Sequence, residues 1–130
     1  MTPRRVVMIV DDQIDEIEEL AAALGLYGIE VIKATNAEDA LSLFVLTWDL
    51  FVVLLDMKMP EIDGLKLLDE IRASGLRGET ATLIMTTGSP DVHSVVDALN
   101  LGASALLLKP IDPKELIAAI AKAFDTHKLT

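Results

Sequence analysis

At 130 residues the chain is the length of one domain, with a core expected over about 5–125, and it can bury enough surface to fold without a disulfide or structural metal. It has no cysteine, which excludes thiol catalysis, cysteine-ligated zinc and disulfide scaffolds and fits a reducing compartment such as the cytoplasm. Eleven Lys and Arg against 21 Asp and Glu leave a net charge of −10, and so acidic a surface repels phosphate backbones and anionic lipid, so neither nucleic acid nor a membrane surface is an expected partner.

Residues are 52% apolar, yet no uninterrupted apolar run exceeds six residues, 50–55 being one; a membrane helix needs about 20. The five apolar residues after Arg5 are too few for a secretion-signal core.

In chain order, Val6–Val10 is a continuous apolar run of the kind that forms a strand buried on both faces of a parallel sheet. Ile14, Ile17, Ala21 and Leu24 then step by three and four, with Glu16, Glu18 and Glu19 on other faces. That spacing predicts a helix leaving at Gly25 and Gly28. Residues 29–34 alternate more, as a strand near the sheet edge does. Asn36 is placed to cap a helix carrying Ala37, Ala40, Leu41 and Phe44. Residues 50–55 read as the third strand, and Trp48 before them reads as packing. Leu65, Leu68 and Ile71 stripe a third helix that starts at Asp63 and runs out at Ser74 and Gly75. After the strand at 83–85, Val92, Val95, Val96 and Leu99 stripe a fourth, closed by Gly102. The last strand, Ala105–Leu108, leads to the clearest helix start: Asp112 as cap, Pro113 at the first position and Glu115 three residues after the cap. Leu116, Ile117, Ile120 and Phe124 form its buried face, and residues 126–130 are expected to fray.

Five strands alternating with five helices make an α/β domain, a doubly wound parallel sheet with right-handed crossovers. Such a sheet binds its ligand at the carboxyl ends of its strands. There the sequence places Asp11 and Asp12, Asp56, Thr87 with Gly88, and Lys109 with Pro110. Each alone is ordinary cap or turn chemistry. Together they deliver three carboxylates, one hydroxyl and one ammonium to one edge. Three close carboxylates repel one another; a hard divalent cation with oxygen ligands, Mg²⁺ above all, relieves that repulsion. The hydroxyl and ammonium suit the oxygens of a phosphoryl group, so charge and geometry point to Mg²⁺-assisted phosphoryl transfer.

Four blocks, Val-Asp-Asp at 10–12, Leu-Leu-Asp-Met-Lys-Met-Pro-Glu-Ile-Asp-Gly at 54–64, Met-Thr-Thr-Gly at 85–88 and Leu-Gly-Ala-Ser-Ala-Leu-Leu-Leu-Lys-Pro at 101–110, give the chain its resemblance to the receiver domain of two-component response regulators, chemotaxis-regulator-like in form. The resemblance spans Val6 to about Phe124. It implies a flavodoxin-like sheet in the order 2-1-3-4-5 and a phosphoryl group passed from a sensor histidine kinase or histidine phosphotransfer protein to Asp56. It further implies that Asp12 ligates Mg²⁺ directly, that Asp11 holds a metal-bound water, and that the backbone carbonyl of Lys58 is another ligand beside Asp56. Thr87 would bind a phosphoryl oxygen, and Lys109 would pair with the phosphoryl group and the Asp56 carboxylate. Gly88 would leave room for that group, and Pro110, cis in the family, would turn Lys109 inward. The output would be altered contact with a downstream effector protein or fused effector domain. The domain would catalyse only its own phosphorylation and dephosphorylation.

The chain departs from the family where many receivers carry a Tyr or Phe three residues before the lysine; here that residue is Leu106. Lys58 and Ser89 occupy positions that vary among receivers and tune phosphoryl lifetime. His93 and His127 read as surface residues. Three other readings compete. A haloacid-dehalogenase-type phosphatase needs an acidic residue where Lys58 stands, and a flavin mononucleotide binder needs a Gly/Ser/Thr-rich cradle where Asp11 and Asp12 stand. The third is a receiver-fold interaction module with weak or no phosphorylation-dependent switching, as Leu106 allows.

Overall fold

Residues 4–59, 62–88 and 91–127 are described by the structure, a computed structural model. The elements are β1 (Val6–Val10), α1 (Ile14–Gly25), β2 (Glu30–Ala34), α2 (Ala37–Leu46), β3 (Val52–Asp56), β4 (Lys58–Met59), β5 (Ile62–Asp63), α3 (Gly64–Arg72), α4 (Leu76–Thr80), β6 (Thr82–Thr87), α5 (Val92–Asn100), β7 (Ala105–Leu108) and α6 (Pro113–Thr126). The main sheet runs β2-β1-β3-β6-β7 and is parallel throughout. With the small antiparallel β4–β5 hairpin set aside, this is the expected order 2-1-3-4-5. The hairpin and the five-residue α4 go beyond the expected ten elements; both are too short to show periodicity.

Side chains alternate along each strand and divide the core in two. Val6, Met8 and Val10 face one layer with Val53, Leu55, Leu83 and Met85, covered by Phe44 of α2, Leu68 and Ile71 of α3 and Ala98 of α5. Val7 and Ile9 face the other with Val52, Leu54 and Ile84, covered by Ile17 and Leu24 of α1 and Leu116, Ile120 and Phe124 of α6. The helix starts carry the expected caps: Asn36 accepts from the Asp39 amide, Asp63 from Leu65 and Lys66, and Asp112 from Lys114.

Three features correct the sequence reading. The apolar stripe of α5 does not face the core: Val92, Val96 and Leu99 are exposed and the helix seats by Ala98. Periodicity identifies a face without saying which way it turns. Trp48 is 73% exposed rather than packed. His127 is not a free surface residue: its Nε2 lies 3.0 Å from Thr82 Oγ1, and its ring stacks on Phe51 at 5.2 Å. His93 is exposed, as expected. Pro60, Ser89, the side chain of Lys58 and residues 128–130 lie outside the described residues.

Two arginines tie the end of the molecule remote from the strand carboxyl termini. Arg72 donates to the carbonyls of Gly78 at 3.0 Å, Glu79 at 3.1 Å and Ala81 at 2.6 Å, and also to Gly102. Arg77 donates to the carbonyls of Leu50 at 2.7 Å and of Phe44, the latter otherwise left open at the end of α2. Its guanidinium lies 4.1 Å over the Phe44 ring. Among the described residues no helix is long and apolar enough to cross a membrane.

Candidate functional site

The carboxyl ends of β1, β3, β6 and β7 meet at one edge, and the chain order of the sheet decides what they carry. Asp11 follows β1, and its amide donates to Ala34 at the end of β2. One carboxylate oxygen of Asp11 accepts from the Gln13 amide at 3.0 Å, which turns the chain into α1. Asp56 is the last residue of β3, paired across to Thr86. Asp11 and Asp56 are 5% and 6% exposed, and Asp12 is half-buried. One carboxylate oxygen from each of these three lies within 4.8 Å of the others.

Thr87 is buried at the end of β6. Its carbonyl accepts from the Lys109 amide at 2.8 Å, which locks β6 to the chain leaving β7. The Lys109–Pro110 peptide is cis. Lys109 extends into the acidic group, with its Nζ 2.9 Å from Asp56 Oδ2 and 3.5 Å from Asp11 Oδ2. The backbone of Lys58 sits two residues beyond Asp56 in β4, paired with Asp63.

The electrostatics follow from this crowding. Burial raises the Asp12 carboxyl above its ordinary value, and the neighbouring Asp11 and Asp56 add to the rise. Burial by itself lowers the Lys109 ammonium, but its hydrogen bond to Asp56 and the charges of Asp56 and Asp11 outweigh that, and it is held well above its ordinary value. The ammonium is therefore charged across the whole working range of pH.

Two contributors escaped the sequence reading. Glu16, read there only as a charge on an outer face of α1, places Oε2 3.2 Å from Lys109 Nζ. Its carboxyl is raised first by a hydrogen bond with Asp11 and then by burial, against the opposing pull of Lys109. Gly64, which closes the 54–64 block, lets α3 start against the strand end: a Cβ there would lie 2.6 Å from the Asp56 carbonyl oxygen. Gly88, by contrast, would bring a Cβ no nearer than 3.9 Å to Lys109 Cβ. Beside the site, a groove of about 600 Å³ runs between α1 and the start of α6, lined by Glu16, Glu19, Leu20, Lys109, Pro110 and Ile111 among others.

The family model of the response regulator receiver domain matches residues 7–121. The chain belongs to that family. This receiver domain is 36% identical to the regulatory protein AtoC of Escherichia coli over 99% of its own length and 27% of that protein's. It is 38% identical to the transcriptional regulatory protein FixJ of Azorhizobium caulinodans over 88% of its length and 52% of that relative's. It thus spans about half or less of these curated relatives. Among solved structures, a CheY-like receiver domain protein from Methanospirillum hungatei superposes with a TM-score of 0.87 at 27% identity, covering 96% of this chain and 97% of that one. A response regulator receiver protein from Pseudomonas putida gives 0.86 at 31% identity, covering 94% and 99%. These likenesses favour neither the phosphatase nor the flavin-binding reading. At the place of the family's switch aromatic, Leu106 of this receiver domain stands half-buried on β7 and packs against the core layer that contains Met85 and Ala98.

Proposed function

We propose that this receiver domain accepts one phosphoryl group on Asp56 from a phosphohistidine of a sensor kinase or histidine phosphotransfer protein, in the cytoplasm, and so changes its contacts with a downstream effector protein or fused effector domain. The observation that carries the reading is a buried Asp56 paired at 2.9 Å with a lysine that arrives from a strand two places away in the sheet. In the reaction an Asp56 oxygen forms the new P–O bond, the P–N bond of the donor breaks, and its electron pair leaves with the imidazole nitrogen. Lys109 draws negative charge from the transferred oxygens while remaining protonated, and the Thr87 hydroxyl donates to another of them.

Asp11, Asp12 and Asp56 offer an all-oxygen set of the kind hard cations take. With the Lys58 carbonyl they would hold Mg²⁺, which when bound screens the repulsion between the Asp56 carboxylate and an anionic donor. The test is acetyl phosphate with Mg²⁺, followed by intact-mass spectrometry. Wild type should gain a single acid-labile phosphoryl group and Asp56→Asn none; equal labelling of the Asn variant would overturn the assignment.

A further inference from the structure

Lys109 offers three N–H donors, and three carboxylates share them: Asp56 at 2.9 Å, Glu16 at 3.2 Å and Asp11 at 3.5 Å. An incoming anion that needs this ammonium must therefore displace one of them. Asp11 and Asp56 are buried at strand ends and have little room to leave. Glu16 stands on α1 with its side chain 51% exposed, at the lip of the groove beside α6, so its carboxylate can swing into solvent without disturbing the core.

We propose that Glu16 is a positioning residue for Lys109: it holds the ammonium toward α1 by direct contact and competes for it with the group that Asp56 receives. The competition rests on the phosphoacceptor reading above; the contact itself does not. Glu16 is separated from Lys109 by 93 positions, so only the fold brings the two together. In the resting site Glu16 keeps Lys109 ordered. During transfer, the oxygen that replaces Glu16 must first break a half-exposed ion pair. Such pairs are worth little individually, so the effect on rate is modest and lies in the direction of restraint.

The test uses Glu16→Gln, of equal length and no charge, and Glu16→Asp, which keeps the charge but is one methylene short of the contact. In the metal-free protein, nitrogen-15 NMR of the Lys109 ammonium should show faster proton exchange and lower order in both variants. With acetyl phosphate and Mg²⁺, both should be phosphorylated about two- to fivefold faster than wild type, the range expected when an exposed ion pair is removed. Unchanged ammonium signals overturn the contact. A Glu16→Asp variant matching wild type in both measurements overturns it too, because charge alone is then at work. Changed signals with an unchanged rate overturn the competition. If wild type takes no phosphoryl group while the signals change, the phosphoacceptor reading fails and the hold on Lys109 stands.

Discussion

Gly64 and Asp56 are in backbone contact: a Cβ on Gly64 would lie 2.6 Å from the Asp56 carbonyl oxygen and 2.8 Å from that of Met57. The first turn of α3 is thus seated on the peptide that presents Asp56. Gly64→Ala forces the two apart, and overpacking of this kind costs about 1–3 kcal/mol, more than the roughly 1 kcal/mol that alanine gains as a helix former. Urea denaturation should show a net loss, together with a slower acetyl phosphate reaction. Gly25→Ala, in a position with nothing within 4 Å, should be neutral or stabilising.

Crowded carboxylates make the resting site electrostatically costly. Asp12 has its folded-state carboxyl raised, so its charge opposes folding above that value, and the opposition fades as pH falls through it. Asp12→Asn should therefore raise the metal-free Tm by a few degrees near pH 7, and the advantage should shrink on acidification. Millimolar Mg²⁺ should raise the wild-type Tm by mass action and act far less on the variant. Thermal melts in chelator and in Mg²⁺, at two pH values, check both signs.

Much of this architecture was legible from residue pattern. Buried parallel strands are apolar on both faces, so β1 and β3 announce themselves, and Asn36, Asp63 and Asp112 cap through contacts only two or three residues away. The corners of the site were legible because strand ends in such a sheet converge by topology. What stayed hidden depends on long side chains or on orientation. Glu16 looks like any solvent-facing glutamate until Lys109 is brought beside it. Arg72 and Arg77 bind backbone carbonyls, which no side-chain pattern encodes. The stripe on α5 has helical period but sits turned away from the sheet, and Trp48 is apolar yet unpacked.

Arg77 illustrates how much a hidden contact carries. Arg77→Lys keeps the charge but loses the fork that reaches the Phe44 and Leu50 carbonyls and the stacking over Phe44. Bonds from a charged donor to buried carbonyls are worth about 1.5–3 kcal/mol, and a loss of about 2 kcal/mol is expected in urea titration. Arg4→Lys, at exposed pairs with Asp49 and Glu30, should stay within about 0.5 kcal/mol of wild type.

The half-buried His127 is expected to make the fold acid-sensitive away from the Asp56 end of the sheet. Burial lowers its imidazole below the ordinary 6.5. The unfolded chain therefore binds a proton more readily than the folded one between these values. Stability from the neutral ring is present above 6.5 and is lost as pH falls toward the lower folded value. His127→Phe, which keeps a ring against Phe51, should flatten the dependence of Tm on pH between about 7.5 and 5.5 relative to wild type. A slope identical to wild type would assign the sensitivity elsewhere.

Asp11 and Lys109 lie 98 positions apart, just past β1 and β7, which β3 and β6 separate in the sheet. Synthesis delivers a chain from its N-terminus, so all three aspartates emerge well before the Lys109 ammonium that pairs with Asp56 and Asp11. No local segment can rehearse this arrangement, and contacts of such sequence separation form late because the loops they close cost entropy. A stalled or truncated chain lacking β7 carries the acid without its counter-charge. The charge balance on which the proposed phosphoryl transfer depends therefore arrives only with β7.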